Sequence, residues 1–96
     1  MFGIYFNVVI WLYDKRTYIH IVLYNNKAIP VMIVECKASS VKISQDTFNQ
    51  IARYNMKLHV QYLVVTNGLK HYCCEMDYAS NSFHFIPEIP DYKSLL

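Results

Sequence analysis

Ile29-Pro30-Val31-Met32-Ile33-Val34-Glu35-Cys36-Lys37 opens at a proline, continues as an apolar, largely β-branched run, and ends in a carboxylate and an ammonium two positions apart. The β-branched residues and the leading proline favour a strand that begins at Pro30. A strand turns alternate side chains to opposite faces, so Glu35 and Lys37 point one way and Cys36 the other. Two charges on one face at the end of an apolar strand either reach water or form a site.

The flanking sequence supplies partners for this strand. Residues 4–13 and 17–24 are rich in Val, Ile, Tyr and Trp and read as two further strands, separated by the polar turn Asp14-Lys15-Arg16. Asn25-Asn26-Lys27 supplies the next turn, because Asn tolerates a positive φ. The three strands are expected to form an antiparallel meander. With Tyr24 opposite Val31, His20 falls opposite Glu35, Val22 opposite Ile33 and Tyr18 opposite Lys37. Facing side chains lie about 5 Å apart at Cβ, so this register gathers His20, Glu35 and Lys37. A slip of one residue turns His20 to the other face.

Residues 38–43 read as a connector. Ser44 is the expected N-cap and Asp46 suits the first helical turn. A helix follows over 45–57, with Phe48, Ile51, Ala52, Asn55 and Met56 on one face at helical spacing. Gln50 and Tyr54, spaced i and i+4, lie on roughly the opposite side near Thr47, Arg53 and Lys57. Residues 60–66 form an apolar strand closed by the Asn67-Gly68 turn, and 69–76 its partner. Residues 83–86 add a short edge strand before Pro87 and Pro90 end regular structure. The order β-β-β-α-β-β predicts an α+β (α/β) fold with a mixed sheet and the helix packed on it. The strand after the helix returns parallel to the strand before it through a right-handed crossover.

At 96 residues, 54% hydrophobic and 16% aromatic, the chain is expected to form one small globular domain spanning 1–96. The net charge of +2 identifies no partner, and nucleic-acid binding requires a local basic patch. Lys37, Lys42, Arg53, Lys57 and Lys70 supply either such a patch or a solvated rim. Cys36, Cys73 and Cys74 match no disulfide framework and read as reduced thiols of a cytoplasmic protein. His71, Cys73, Cys74 and His84 invite a zinc site, but adjacent cysteines fit tetrahedral ligand spacing badly. The apolar start is too short to span a bilayer and lacks the basic flank of a secretory signal.

Glu35-Cys36-Lys37 followed by a helix bearing Gln50-Ile51-Ala52-Arg53-Tyr54, then by Tyr62-Leu63-Val64-Val65-Thr66-Asn67-Gly68 and Pro87-Glu88-Ile89-Pro90-Asp91-Tyr92, resembles the PD-(D/E)xK nuclease superfamily. More narrowly it is similar to the N-terminal nuclease domain of type I restriction enzyme R subunits, over residues 20–92. The resemblance implies a restriction-endonuclease-like fold and metal-dependent cleavage of duplex DNA, with other restriction-modification subunits as partners. By the same resemblance Glu35 is a metal ligand and a catalytic residue. Lys37 is the catalytic lysine, and the Cys36 backbone carbonyl a further ligand for Mg²⁺ or Mn²⁺. Gln50 and Tyr54 then face the DNA.

Two features depart from the family pattern. His20 stands where the family has a metal-binding Asp, and imidazole suits Mn²⁺ better than Mg²⁺. The family's acidic helix ahead of the first strand has no room here, which implies truncation at the N-terminus. Three expectations follow: a metal-dependent endodeoxyribonuclease, a remnant that keeps the fold and at most binds DNA, or a module that dimerises through its apolar N-terminal edge strand. No Walker motif is present, so ATP-driven translocation must come from another chain.

Overall fold

The computed structural model describes residues 8–13 and 18–95. Among these described residues are six strands, β1 (Val8–Tyr13), β2 (Tyr18–Tyr24), β3 (Pro30–Lys37), β4 (Tyr62–Thr66), β5 (His71–Asp77) and β6 (Ser82–Ile86). One helix, α1 (Gln45–Met56), joins β3 to β4, and a 3₁₀ turn over Tyr92–Leu95 closes the described chain. The strands lie in one sheet in sequence order. Every neighbouring pair is antiparallel except β3 and β4, which are parallel. This is the mixed α+β sheet expected. The expected strand start over 4–7 and the turn at 14–16 lie outside the described residues.

The β2–β3 register sets His20 opposite Glu35, Val22 opposite Ile33 and Tyr18 opposite Lys37, the three pairs of the expected register. The exception is Tyr24, which pairs with Pro30 rather than Val31 because the ladder shifts between Leu23 and Tyr24. Pro30 has no N–H to donate, so the regular ladder cannot run through it. The connecting loop also works differently from expectation. Its left-handed residue is Ala28 (φ 61°), not an asparagine. Asn25 acts through its side chain instead, its Oδ1 accepting the amides of Lys27 (2.8 Å) and Ile29 (3.0 Å).

Parallel neighbours require the chain to travel back along the sheet, and α1 makes that return. Ser44 caps it: the Thr47 amide donates to Ser44 Oγ at 3.2 Å, and Asp46 sits in the first turn. The helix ends one residue earlier than its periodicity suggested. His59 takes up a left-handed conformation (φ 54°) and donates its amide to the Met56 carbonyl at 3.1 Å, which stops the helix.

Phe48, Ile51 and Ala52 of α1 are buried against Val22, Ile33, Leu63, Val65, Cys74 and Met76 of the sheet. Met56 packs at the margin of this cluster, while the Asn55 side chain lies outside those described. The Phe48 ring also meets Phe83, Phe85 and Tyr72, with centroids 5.5, 4.8 and 6.4 Å away. Each large side chain buried here contributes roughly 1.5–3 kcal/mol. On the opposite face Val31, Met32, Val64 and Cys73 are buried, with Leu23, Val34, Tyr62, Ile86 and Leu95 beside them. The tail reaches β2, where Tyr92 donates its hydroxyl to the Tyr24 carbonyl at 3.3 Å. β3 and β4 are thus packed from both sides, which accounts for their unbroken apolar runs.

Asn67 is only 7% exposed and ties two parts of the chain together. Its Nδ2 donates to the Val41 carbonyl of the β3–α1 connector at 2.8 Å. Its Oδ1 accepts the amides of Leu69 and Lys70 at 2.9 and 2.8 Å. Those two amides are therefore spent on the turn, and β5 begins at His71 rather than at residue 69. Gly68 completes the turn with φ 87°, a conformation that favours glycine.

Cys73 and Cys74 enter opposite layers of the core, so the two thiols cannot share a tetrahedral ion. Burial pushes Cys73 up to about 11, helped by the Glu75 charge, and Cys74 up to about 12. Burial also raises Cys36, with the Glu35 carboxylate adding to it.

Two outcomes are expected. Asn67→Ala strands the Val41 carbonyl and two amides, and should lower stability by about 2 kcal/mol in urea unfolding. The folded protein should react with iodoacetamide at pH 8 far more slowly than the urea-unfolded chain. The raised thiols stay protonated in the fold while those of the unfolded chain ionise near 9. The folded state then holds more protons, so stability should fall as pH rises above about 9.

Candidate active site

β3 ends between β2 and β4, and its last residues carry the only carboxylate and ammonium of the strand. Glu35 belongs to the same face as Ile33, which packs under α1. Glu35 is 4% exposed, and Lys37 Nζ lies 3.0 Å from its Oε2, with the lysine side chain 15% exposed. The sequence left open whether these charges reach water or form a site, and the fold encloses them.

A buried ion pair costs desolvation that its Coulomb attraction only partly returns, so apolar residues would serve stability as well or better. The pair therefore marks a place where charge is wanted for another reason. A carboxylate held in a protected position can ligate a divalent cation, and an ammonium against it can face a phosphate.

The register places other residues in the same row. His20 stands opposite Glu35 on β2, Val65 opposite Glu35 on β4, and Tyr72 opposite Val65 on β5. The His20 side chain itself lies outside those described. Among the described residues no three His, Cys, Asp or Glu side chains are gathered closely enough to hold a metal ion. The side-chain oxygen donor that β3 brings to this end is the Glu35 carboxylate. The raised Cys36 thiol is a poor ligand at neutral pH, because a thiol binds metal as thiolate.

Gln50 is exposed and lies two residues from Phe48, about 200° round the helix. Tyr54 follows one turn later on α1; its side chain is not among those described. The helix starts at the site end of the sheet and runs away from it, since β4 must begin at the opposite end from where β3 stops. Arg53 and Lys57 therefore stand at the far end of the return. Lys42 and Lys70 remain at the site end, because Asn67 bonds both the Val41 carbonyl and the Lys70 amide. Both lysines are exposed.

The residue that spacing did not single out for this role is Asn67. The Asn-Gly pair announces a turn, but the bond to Val41 spans 26 positions and has no local signature. Thr66 adds a second polar link, with its hydroxyl 2.6 Å from His71 Nδ1 and accepting the Gly68 amide at 3.0 Å.

No helix among the described residues is long and apolar enough to cross a membrane. No curated protein and no solved structure matches the chain. A family model described as "Type I restriction enzyme R protein N terminus" matches residues 4–90, which takes in every strand, α1 and the Glu35-Cys36-Lys37 triplet. The chain therefore belongs to the family of type I restriction enzyme R protein N-termini.

Proposed function

We propose that this chain binds duplex DNA through the strand end carrying Glu35 and Lys37 and cleaves a phosphodiester there with a divalent cation. The observation that carries the reading is the enclosed Glu35–Lys37 pair, 3.0 Å apart at the end of a central strand. Family membership supports it, since R proteins of type I restriction systems act on DNA together with other subunits.

The donors fit a borderline cation better than a hard one. Mg²⁺ prefers several oxygens in octahedral array, whereas one carboxylate, a carbonyl and the imidazole at the His20 position suit Mn²⁺. A cation bound there would supply Lewis-acid polarisation of the phosphoryl oxygen and would lower the pKa of a bound water. Glu35 would hold the cation. Lys37 leaves its bond to Glu35 for the phosphate, where it offsets charge that develops in the transition state. The Cys36 carbonyl completes the protein's oxygen donors. Lys42 and Lys70 contact the flanking backbone, and Gln50 and Tyr54 line the DNA further along α1.

A second reading is a domain that keeps the fold and binds DNA without cutting it. The histidine opposite Glu35, in place of a second carboxylate, favours it.

Nicking of supercoiled plasmid separates the two. The native chain is expected to nick with Mn²⁺ and weakly with Mg²⁺. Lys37→Ala should reduce the rate at least about 100-fold, and His20→Asp should shift the preference towards Mg²⁺. If native protein is inert with both ions while His20→Asp cuts, the binding-only reading stands. If neither cuts although both are folded, the cleavage assignment fails.

A further inference from the structure

We propose that the chain self-associates through β6, forming a twofold dimer in which two β6 strands pair antiparallel and join the sheets of two copies. β6 is one edge of the six-stranded sheet, and among the described residues no strand pairs with its outer side. An exposed edge presents unpaired amides and carbonyls to any strand of matching register.

The occupant is argued from the strand itself. Ser82-Phe83-His84-Phe85-Ile86 is nearly symmetric about its midpoint. A twofold axis at His84 sets Phe83 opposite the second copy's Phe85, and Phe85 opposite the second copy's Phe83. Both phenylalanines stand on the side covered by α1, each packing on Phe48. Phe85 nevertheless remains 46% exposed, and its neighbour Tyr72 37%. Pairing two copies buries four phenylalanine rings against one another, a favourable cross-strand arrangement on one face of a sheet.

The other face is matched as well. His84 meets the second copy's His84 at the axis, and each ring is held by its own chain's Glu75, whose Oε1 lies 3.3 Å from His84 Nε2. β1, the other edge strand among the described residues, reads Val-Val-Ile-Trp-Leu-Tyr and lacks this symmetry. The contact is small, on the order of 1,000 Å² in total for a five-residue strand and its flanking grooves, so the dimer is reversible.

Sedimentation equilibrium from about 1 to about 200 µM tests the proposal over the range expected of a weak interface. The expected result is a mass that rises with concentration from 11.4 kDa towards twice that value. Phe85→Lys, which places a charge on the pairing edge, should hold the protein at the monomer mass. A second measurement does not depend on how Phe85→Lys folds. Facing residues of an antiparallel pair have Cα atoms about 4.5–5.5 Å apart, within reach of a disulfide. His84→Cys should therefore cross-link into a covalent dimer on mild oxidation, and Leu69→Cys, exposed at the β4–β5 turn, should not. A monomer throughout the range overturns the proposal. So does a dimer that persists in folded Phe85→Lys, or equal cross-linking by the two cysteine variants.

Discussion

The parallel pairing of β3 with β4 is the constraint on which the rest depends. Antiparallel neighbours need only a turn, whereas parallel neighbours need a crossover long enough to regain the starting end of the sheet. That requirement places α1 over one face, gives Phe48, Ile51 and Ala52 something to cover, and leaves the tail to reach across the other. It also brings the C-terminal ends of β3 and β4 side by side. Glu35, Lys37, Thr66 and Asn67 share one end of the molecule for this reason.

Charge at that end is tolerated because the surrounding structure was already committed. Ile33, Leu63 and Val65 are fully enclosed, so the strand carrying Glu35 cannot twist away to hydrate its carboxylate. The pair with Lys37 limits the cost of enclosure without making it a source of stability. Asn67 then holds the departing chain close by, bonding the connector four residues beyond Lys37. A geometry fixed by packing and by directional hydrogen bonds keeps such groups in place without relying on flexible side chains alone.

Much of this was legible along the chain. The strand over Pro30–Lys37, the Ser44 cap and the helical face of Phe48, Ile51 and Ala52 rest on short-range patterns that local sterics and periodicity decide. The pairing of His20 with Glu35 was one register that the sequence allowed; loop length did not fix it, and the β2–β3 ladder decided it. The left-handed residue of that loop was not legible. Two asparagines advertised it, yet Ala28 carries the positive φ, since Asn25 is occupied in accepting two amides.

By itself the sequence determined the order of elements, the face on which Glu35 and Lys37 lie, and the family to which the chain belongs, because alternation and motif order are properties of the chain read locally. Only the tertiary structure decided that those two charges are enclosed, and that Cys73 and Cys74 enter separate layers. It also decided that Asn67 bonds a carbonyl 26 positions away, and that Phe48, Phe83 and Phe85 gather at an open edge. The physical reason is the same in each case. Burial and long-range hydrogen bonds depend on what the other elements place opposite a residue, and no local pattern encodes that.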